Sequence, residues 1–189
     1  MNSFTSSFCS LLDFLFNSRV CDSRSKLILV GLIFLMPMMV GCQEDENPLE
    51  PGSVVSLNRI PENPEYASLP LMGIKWKLIG FADEKTGNIR LASPFSTDTF
   101  DTYILTFEMD GLLDGTTSTN RASGKYVFGE NSTSNLQIPF FGPITYINEP
   151  FDGRPYIEAM KKVNSYKISS KGLSLNYDDR KFLLFKPLE

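Results

Sequence analysis

The chain of 189 residues contains no histidine. That absence removes the commonest general base, the commonest metal ligand and every Ser-His or Cys-His nucleophile pair. Cysteine is nearly as scarce: the three are Cys9, Cys21 and Cys42. Nothing beyond residue 42 can therefore form a disulfide, and a domain there is held by its core alone. Basic clusters are missing too. No Lys/Arg run is longer than the pair Lys161-Lys162, and the net charge is −4, which argues against a nucleic-acid partner. Ser-x-x-Lys spacing is absent beyond residue 42, and no carboxylate group shows the alternating oxygen ligands of a Ca²⁺ loop. Neither a cofactor nor a metal is expected.

One long apolar run is present, Leu27 to Gly41, directly before Cys42. It falls short of the roughly 20 apolar residues a membrane-crossing helix needs, and Arg24 and Lys26 precede it as in a signal peptide. Residues 1–41 read as an export signal. Its length points to a start codon set upstream of the true one. Met39-Val40-Gly41-Cys42 resembles the bacterial lipobox, which implies that Cys42 becomes the lipidated mature N-terminus and the membrane the first partner. Loss of such a leader removes three basic residues (Arg19, Arg24, Lys26) and two acidic ones (Asp13, Asp22), so the charge of −4 becomes about −5. Gln43, Glu44, Asp45 and Glu46 follow the cysteine and resemble the lipoprotein export signal of Bacteroidetes, which implies the outer face of the outer membrane. A merely solvated acidic linker reads the same way. Scattered prolines (Pro48, Pro51, Pro61, Pro64, Pro70) make residues 42–70 an extended tether by composition.

From residue 71 to 189 short apolar or alternating runs are bounded by Gly, Asn and Asp, the pattern of antiparallel sheet. Strands are expected at Lys75–Phe81, Tyr103–Glu108, Leu112–Thr117, Gly124–Phe128 and Asn135–Ile138. A meander of Ser165–Ser169, Leu173–Tyr177 and Lys181–Phe185 closes the domain. Asp110-Gly111 supplies hairpin-turn chemistry. Pro139, Pro143 and Pro150 make the next stretch irregular. One helix is expected between Asp152 and Val163, with Tyr156, Ile157, Met160 and Val163 as its apolar stripe and Asp152 as its cap. The fold class is mainly β (α+β), a compact antiparallel barrel-like sheet with one packed helix.

Trp76-Lys77-Leu78, Tyr103 to Phe107 with Asp110-Gly111, Asn120, Gly124 and Tyr126, then the helix and closing strands, together resemble the META domain (HslJ-like) family of bacterial envelope lipoproteins. The resemblance covers roughly residues 71–187. It implies a barrel-like sheet with a packed helix, an envelope location and a link to stress, but no defined reaction. Many members carry one cysteine just before the Asn120 position and another after the threonine; here those regions read Ser118-Thr119-Asn120 and Thr145-Tyr146-Ile147-Asn148, so no redox or disulfide role transfers.

Trp76, Asp110, Gly111, Asn120, Gly124 and Tyr126 are expected to be structural, with Asn120 and Gly124 supplying positive φ in a turn. Arg121 could bind a carboxylate but reads as solvated. The carboxylate pairs Asp98 and Asp101, Asp110 and Asp114, and Asp178 and Asp179 read as turn chemistry. Strand aromatics read as core or, alternatively, as a ligand pocket, and Phe140-Phe141 as an exposed contact. The leading expectation is a non-enzymatic envelope lipoprotein that binds or stabilises another envelope component. The alternatives are a lipocalin-like barrel holding a small apolar ligand and, third, an acid-residue hydrolase.

Overall fold

The computed structural model describes residues 49–94, 101–130 and 134–188. Cys42, Gln43, Glu44, Asp45, Glu46 and Asp98 lie outside them. The described strands are β1 (Val54–Ser56), β2 (Lys75–Asp83), β3 (Asn88–Leu91), β4 (Ile104–Phe107), β5 (Leu112–Thr116), β6 (Arg121–Phe128), β7 (Leu136–Pro143), β8 (Ser165–Ser169), β9 (Gly172–Asp178) and β10 (Lys181–Pro187), with one helix, α1 (Gly153–Met160), between β7 and β8. The strands form one antiparallel sheet whose main path runs β7-β6-β5-β4-β2-β10-β9-β8, with β3 beside β2 and β1 beside β3 off that path. The end strands β7 and β8 share no ladder, although Tyr166 N–H donates to the Ser134 carbonyl at 3.0 Å near their meeting point. The sheet is thus curved but open. Mainly-β architecture with one packed helix is what the sequence pattern implies.

β2 is the pivot. One edge carries β10 over almost its whole length, while the other is shared, Lys75–Lys77 pairing with β4 and Gly80–Asp83 with β3. A register shift between Leu184 and Phe185 skips Ile79 at the fork. Side chains on opposite faces of β10 enter different cores, as the two-residue period of a strand requires. Leu183 and Phe185 join Trp76, Leu105, Phe107 and the helix, whereas Phe182 and Leu184 join Ile60, Ala82, Ile89 and Leu91.

That second core corrects the tether reading. β1 pairs with β3, Ile60 is 2% exposed, and Leu49, Val55 and Leu57 pack beside it. Two short 3-10 turns, Leu57–Arg59 and Pro64–Ser68, follow, each started by a side-chain cap from Ser56 or Asn63. Glu62 then accepts hydrogen bonds from Ser170 (2.6 Å) and Lys171 (2.7 Å). Among the described residues, Pro51 stands in a turn and Pro64 in the first turn of the second 3-10 helix, where no ladder donor is needed.

Three further differences have local causes. β7 runs through Pro139 because the shift that pairs Lys125 with Phe140 but Val127 with Gln137 makes a bulge there on an edge strand, a place that tolerates proline. The bulge also resets the alternation, so Phe141 is buried and Phe140 exposed, splitting the expected contact pair. The β2–β3 hairpin, closed by Gly87 at φ 68° and by Asp83 accepting from Lys85 N–H, adds a strand pair to those expected from the sequence. Finally, Asp152 precedes α1 without a side-chain cap, its carboxylate being taken elsewhere. Tyr156, Met160 and Val163 are buried as the stripe requires, and Lys161 and Lys162 are exposed.

Candidate functional site

The most elaborate polar arrangement stands at the end of the sheet where the β5–β6 turn meets the segment joining β7 to α1. Thr117, Ser118 and Asn120 are all buried there. The turn closes through Thr117 N–H to Asn120 O at 2.8 Å and Asn120 N–H to the Thr117 hydroxyl at 3.1 Å. Glu149 points its carboxylate into this turn and accepts from Thr117, Ser118 (2.6 Å) and the Asn120 amide (2.6 Å). Asn120 also donates to Ile147 O at 2.8 Å, while its own oxygen accepts from the Thr145 hydroxyl and from Ile147 N–H. A Cβ on Gly153 would stand 2.3 Å from the Glu149 carboxylate and 2.4 Å from the Ser118 hydroxyl, so a side chain there would displace the bond between them.

Asp152 forms the second half. Its carboxylate accepts from Arg90 at 2.8 and 2.9 Å and from Ser93 N–H at 2.9 Å, and its own N–H returns a bond to Ser93 O. The Tyr103 hydroxyl donates to the same Ser93 carbonyl at 2.7 Å. Arg90 lies 4.6 Å over the Phe81 ring, a cation–π contact that holds the guanidinium at the pair's exposed side. Burial, first, and the Asp152 and Glu149 charges push the Tyr103 hydroxyl well above the ordinary tyrosine range. Tyr156 behind it rises for the same primary reason, and its hydroxyl has no hydrogen-bond partner among the described residues.

Chemically, the cluster is a clamp. Both oxygens of Glu149 and of Asp152 are occupied by donors, and among the described residues no three His, Cys, Asp or Glu side chains are placed to hold a metal ion. What the clamp presents outward is apolar. Ile144, Tyr146, Ile147 and Phe151 are 53%, 102%, 61% and 69% exposed on the segment that Asn120 and Asp152 pin. Surface grooves among the described residues include three, the first of which shares Arg90 with this cluster. One of 380 Å³ runs beside α1 between Arg90, Glu158 and Lys162, another of 630 Å³ lies between Leu69, Ile74 and Pro187, and a third of 380 Å³ is lined by Leu57, Lys167 and Leu184.

The residues singled out by sequence fall into three groups. Trp76 is fully buried with its indole N–H on Leu71 O, Tyr126 is buried with its hydroxyl on Glu108 O, and Asp110-Gly111 form the β4–β5 turn with Gly111 at φ 81°. Asn120 and Gly124 serve differently from the expected positive-φ turn. Asn120 acts through its side chain, and Gly124 lies inside β6, where a Cβ would meet Phe140 O at 2.5 Å. Arg121 is exposed, 3.9 Å from Asp114, and Asp178 accepts from the Asp179 N–H in its turn. Sequence reading missed Glu149, Asp152 as a salt-bridge partner, and the apolar segment itself. Glu149 is 29 to 32 residues from its three donors, a separation that no local motif records.

No protein-family model matches the chain, and no curated protein does either. Two solved structures are similar. One is a DUF4847 family protein from Bacteroides vulgatus, 14% identical over 61% of this chain and 93% of that one, with a TM-score of 0.45. The other is a protein from Burkholderia xenovorans, 18% identical over 75% of this chain and 99% of that one, with a TM-score of 0.46.

Proposed function

We propose that the protein is a non-enzymatic envelope lipoprotein, carried on a diacylglyceryl group at Cys42, whose β domain binds or stabilises another component of the envelope. The observation that carries the binding role is the clamp. Its carboxylates are spent on positioning a segment whose exposed side chains are apolar and aromatic, which suits contact and not proton transfer. The Leu27-to-Gly41 run and the Gly41-Cys42 junction support the anchor, and Glu44-Asp45-Glu46 support display at the outer membrane surface. The META-like reading adds a role under stress.

Replacing Cys42 with Ser removes the thiol that would accept the lipid. In cells fed labelled palmitate, the wild-type protein is expected to carry label and Cys42→Ser to carry none. Label retained by the variant, or a mature N-terminus other than Cys42, overturns the lipoprotein reading.

A further inference from the structure

The point where the described chain enters the domain lies near the exposed apolar segment. Gly52 N–H donates to Leu91 O at 3.0 Å and Leu91 N–H to Ser53 O at 2.8 Å, which fixes the entering chain beside the end of β3. Ser93, two residues further, exchanges hydrogen bonds with Asp152, the neighbour of Phe151. The opposite end carries the β4–β5 turn with Met109, separated from Thr117 and Asn120 by the length of β5. Leu49 is already packed on the second core, so the stretch from Cys42 to Leu49 reaches at most about 25 Å even fully extended. Because the entering chain lies beside the segment, a lipid at Cys42 would keep the segment within reach of the bilayer.

We propose that the Ile144–Phe151 segment seats in the lipid surface that holds Cys42, so that anchor and segment together fix the orientation of the domain. The proposal rests on the lipoprotein reading above. Its side chains are those an interface takes up: Ile144 and Ile147 aliphatic, Tyr146 and Phe151 aromatic, all outward. Arg121 and Arg154 flank them, Ile144 N–H donating to Arg121 O and Arg154 to the Asn148 side chain at 3.4 Å. Both arginines are exposed, and long basic side chains beside an apolar tip reach lipid phosphates. Because Asn120 and Glu149 already hold the backbone, docking orders little that was free. Phe151 stands at φ 51°, a left-handed conformation a phenylalanine seldom adopts, and the bonds of Asp152 keep it there with its ring outward. The short leash raises the segment's concentration at the surface, so a contact too weak to bind a free protein suffices.

The test uses the mature lipidated protein in vesicles of phosphatidylcholine and phosphatidylglycerol. An environment-sensitive fluorophore is attached at Tyr146→Cys in one sample and Met109→Cys in another, two exposed sites at opposite ends. The fluorophore at 146 is expected to shift to the blue and to be quenched several-fold more by spin-labelled lipid than the one at 109. Equal quenching at the two sites, with the lipid mass present on the mature N-terminus, overturns the docking and leaves the segment facing water or a protein partner. Absence of the lipid mass overturns the lipoprotein reading, and the docking falls with it.

Discussion

Lys77 shows how one half-buried charge sets a pH dependence. Its ammonium group donates to the Thr102 carbonyl and, at 3.1 Å, to the Thr102 hydroxyl, in a half-buried position beside β4. Burial lowers its pKa to about 8, against a weaker opposing pull from Asp101. An unfolded lysine titrates near about 10.4, so between pH 8 and that value the unfolded chain binds more protons than the folded one, and stability rises with pH. Lys186, lowered by burial and by Lys171, adds in the same direction. Tyr103, Tyr126, Tyr156 and Tyr177 act oppositely: burial raises each, the folded state keeps its protons longer, and stability falls once the unfolded tyrosines ionise near about pH 10. Urea midpoints should therefore climb from pH 8 towards 10 and fall beyond. Lys77→Met should flatten most of the climb while leaving the fall, and an unchanged climb would remove Lys77 as its source.

At the scale of elements, the fork on β2 depends on a residue without a side chain. A Cβ on Gly80 would stand 2.2 Å from Arg90 O, a backbone atom that cannot rotate away, so β2 and β3 would have to part. Gly80→Ala should destabilise by about 3 kcal/mol or more, as overpacking against fixed neighbours does. Gly142→Ala is the matched control, since its Cβ would meet nothing nearer than 3.9 Å and should change stability by less than about 1 kcal/mol. Equal urea midpoints for the two variants would show that β3 does not pair closely at Gly80. Elements whose signal is periodic and local were legible beforehand: the β8–β9–β10 meander, the β4–β5 hairpin at Asp110-Gly111 and the Tyr156, Met160, Val163 stripe. Those that depend on a partner far along the chain were not. β7 continues through Pro139 only because of its bulge against β6, and Asn120 acts on residues 25 to 29 positions away. The candidate site is built almost wholly of such distant pairs, which is why composition and motif named Asn120 but not its use.

For the whole molecule, the consequential feature is that β10 is buried on both faces. Phe182-Leu183-Leu184-Phe185 is a continuous apolar run without alternation, a pattern that calls for cover on either side of a sheet. The helix and main core supply one cover, and residues 49–60 supply the other through Ile60, Val55 and Leu57 and through the pairing of β1 with β3. The domain thus begins near Leu49, although proline content alone suggested residue 71. A chain starting at Leu71 would bare Ile89, Leu91 and Leu184, all at most 1% exposed in the whole domain, and would leave β3 without its outer neighbour. Each fully buried aliphatic side chain contributes about 1.5 to 3 kcal/mol, and a domain has about 5 to 15 in all. Ordering the entering chain offsets part of that gain, so the net loss on deletion should be about 3 kcal/mol or more. Urea unfolding of chains starting at Asn47 and at Leu71 makes the comparison, with Ile60→Ala in the longer chain expected to lose about 2 to 4 kcal/mol by itself. Were residues 49–70 only a tether, the two chains would unfold at the same midpoint and Ile60→Ala would change nothing. The short leash from Cys42, and with it the orientation proposed for the apolar segment, would then have no structural basis.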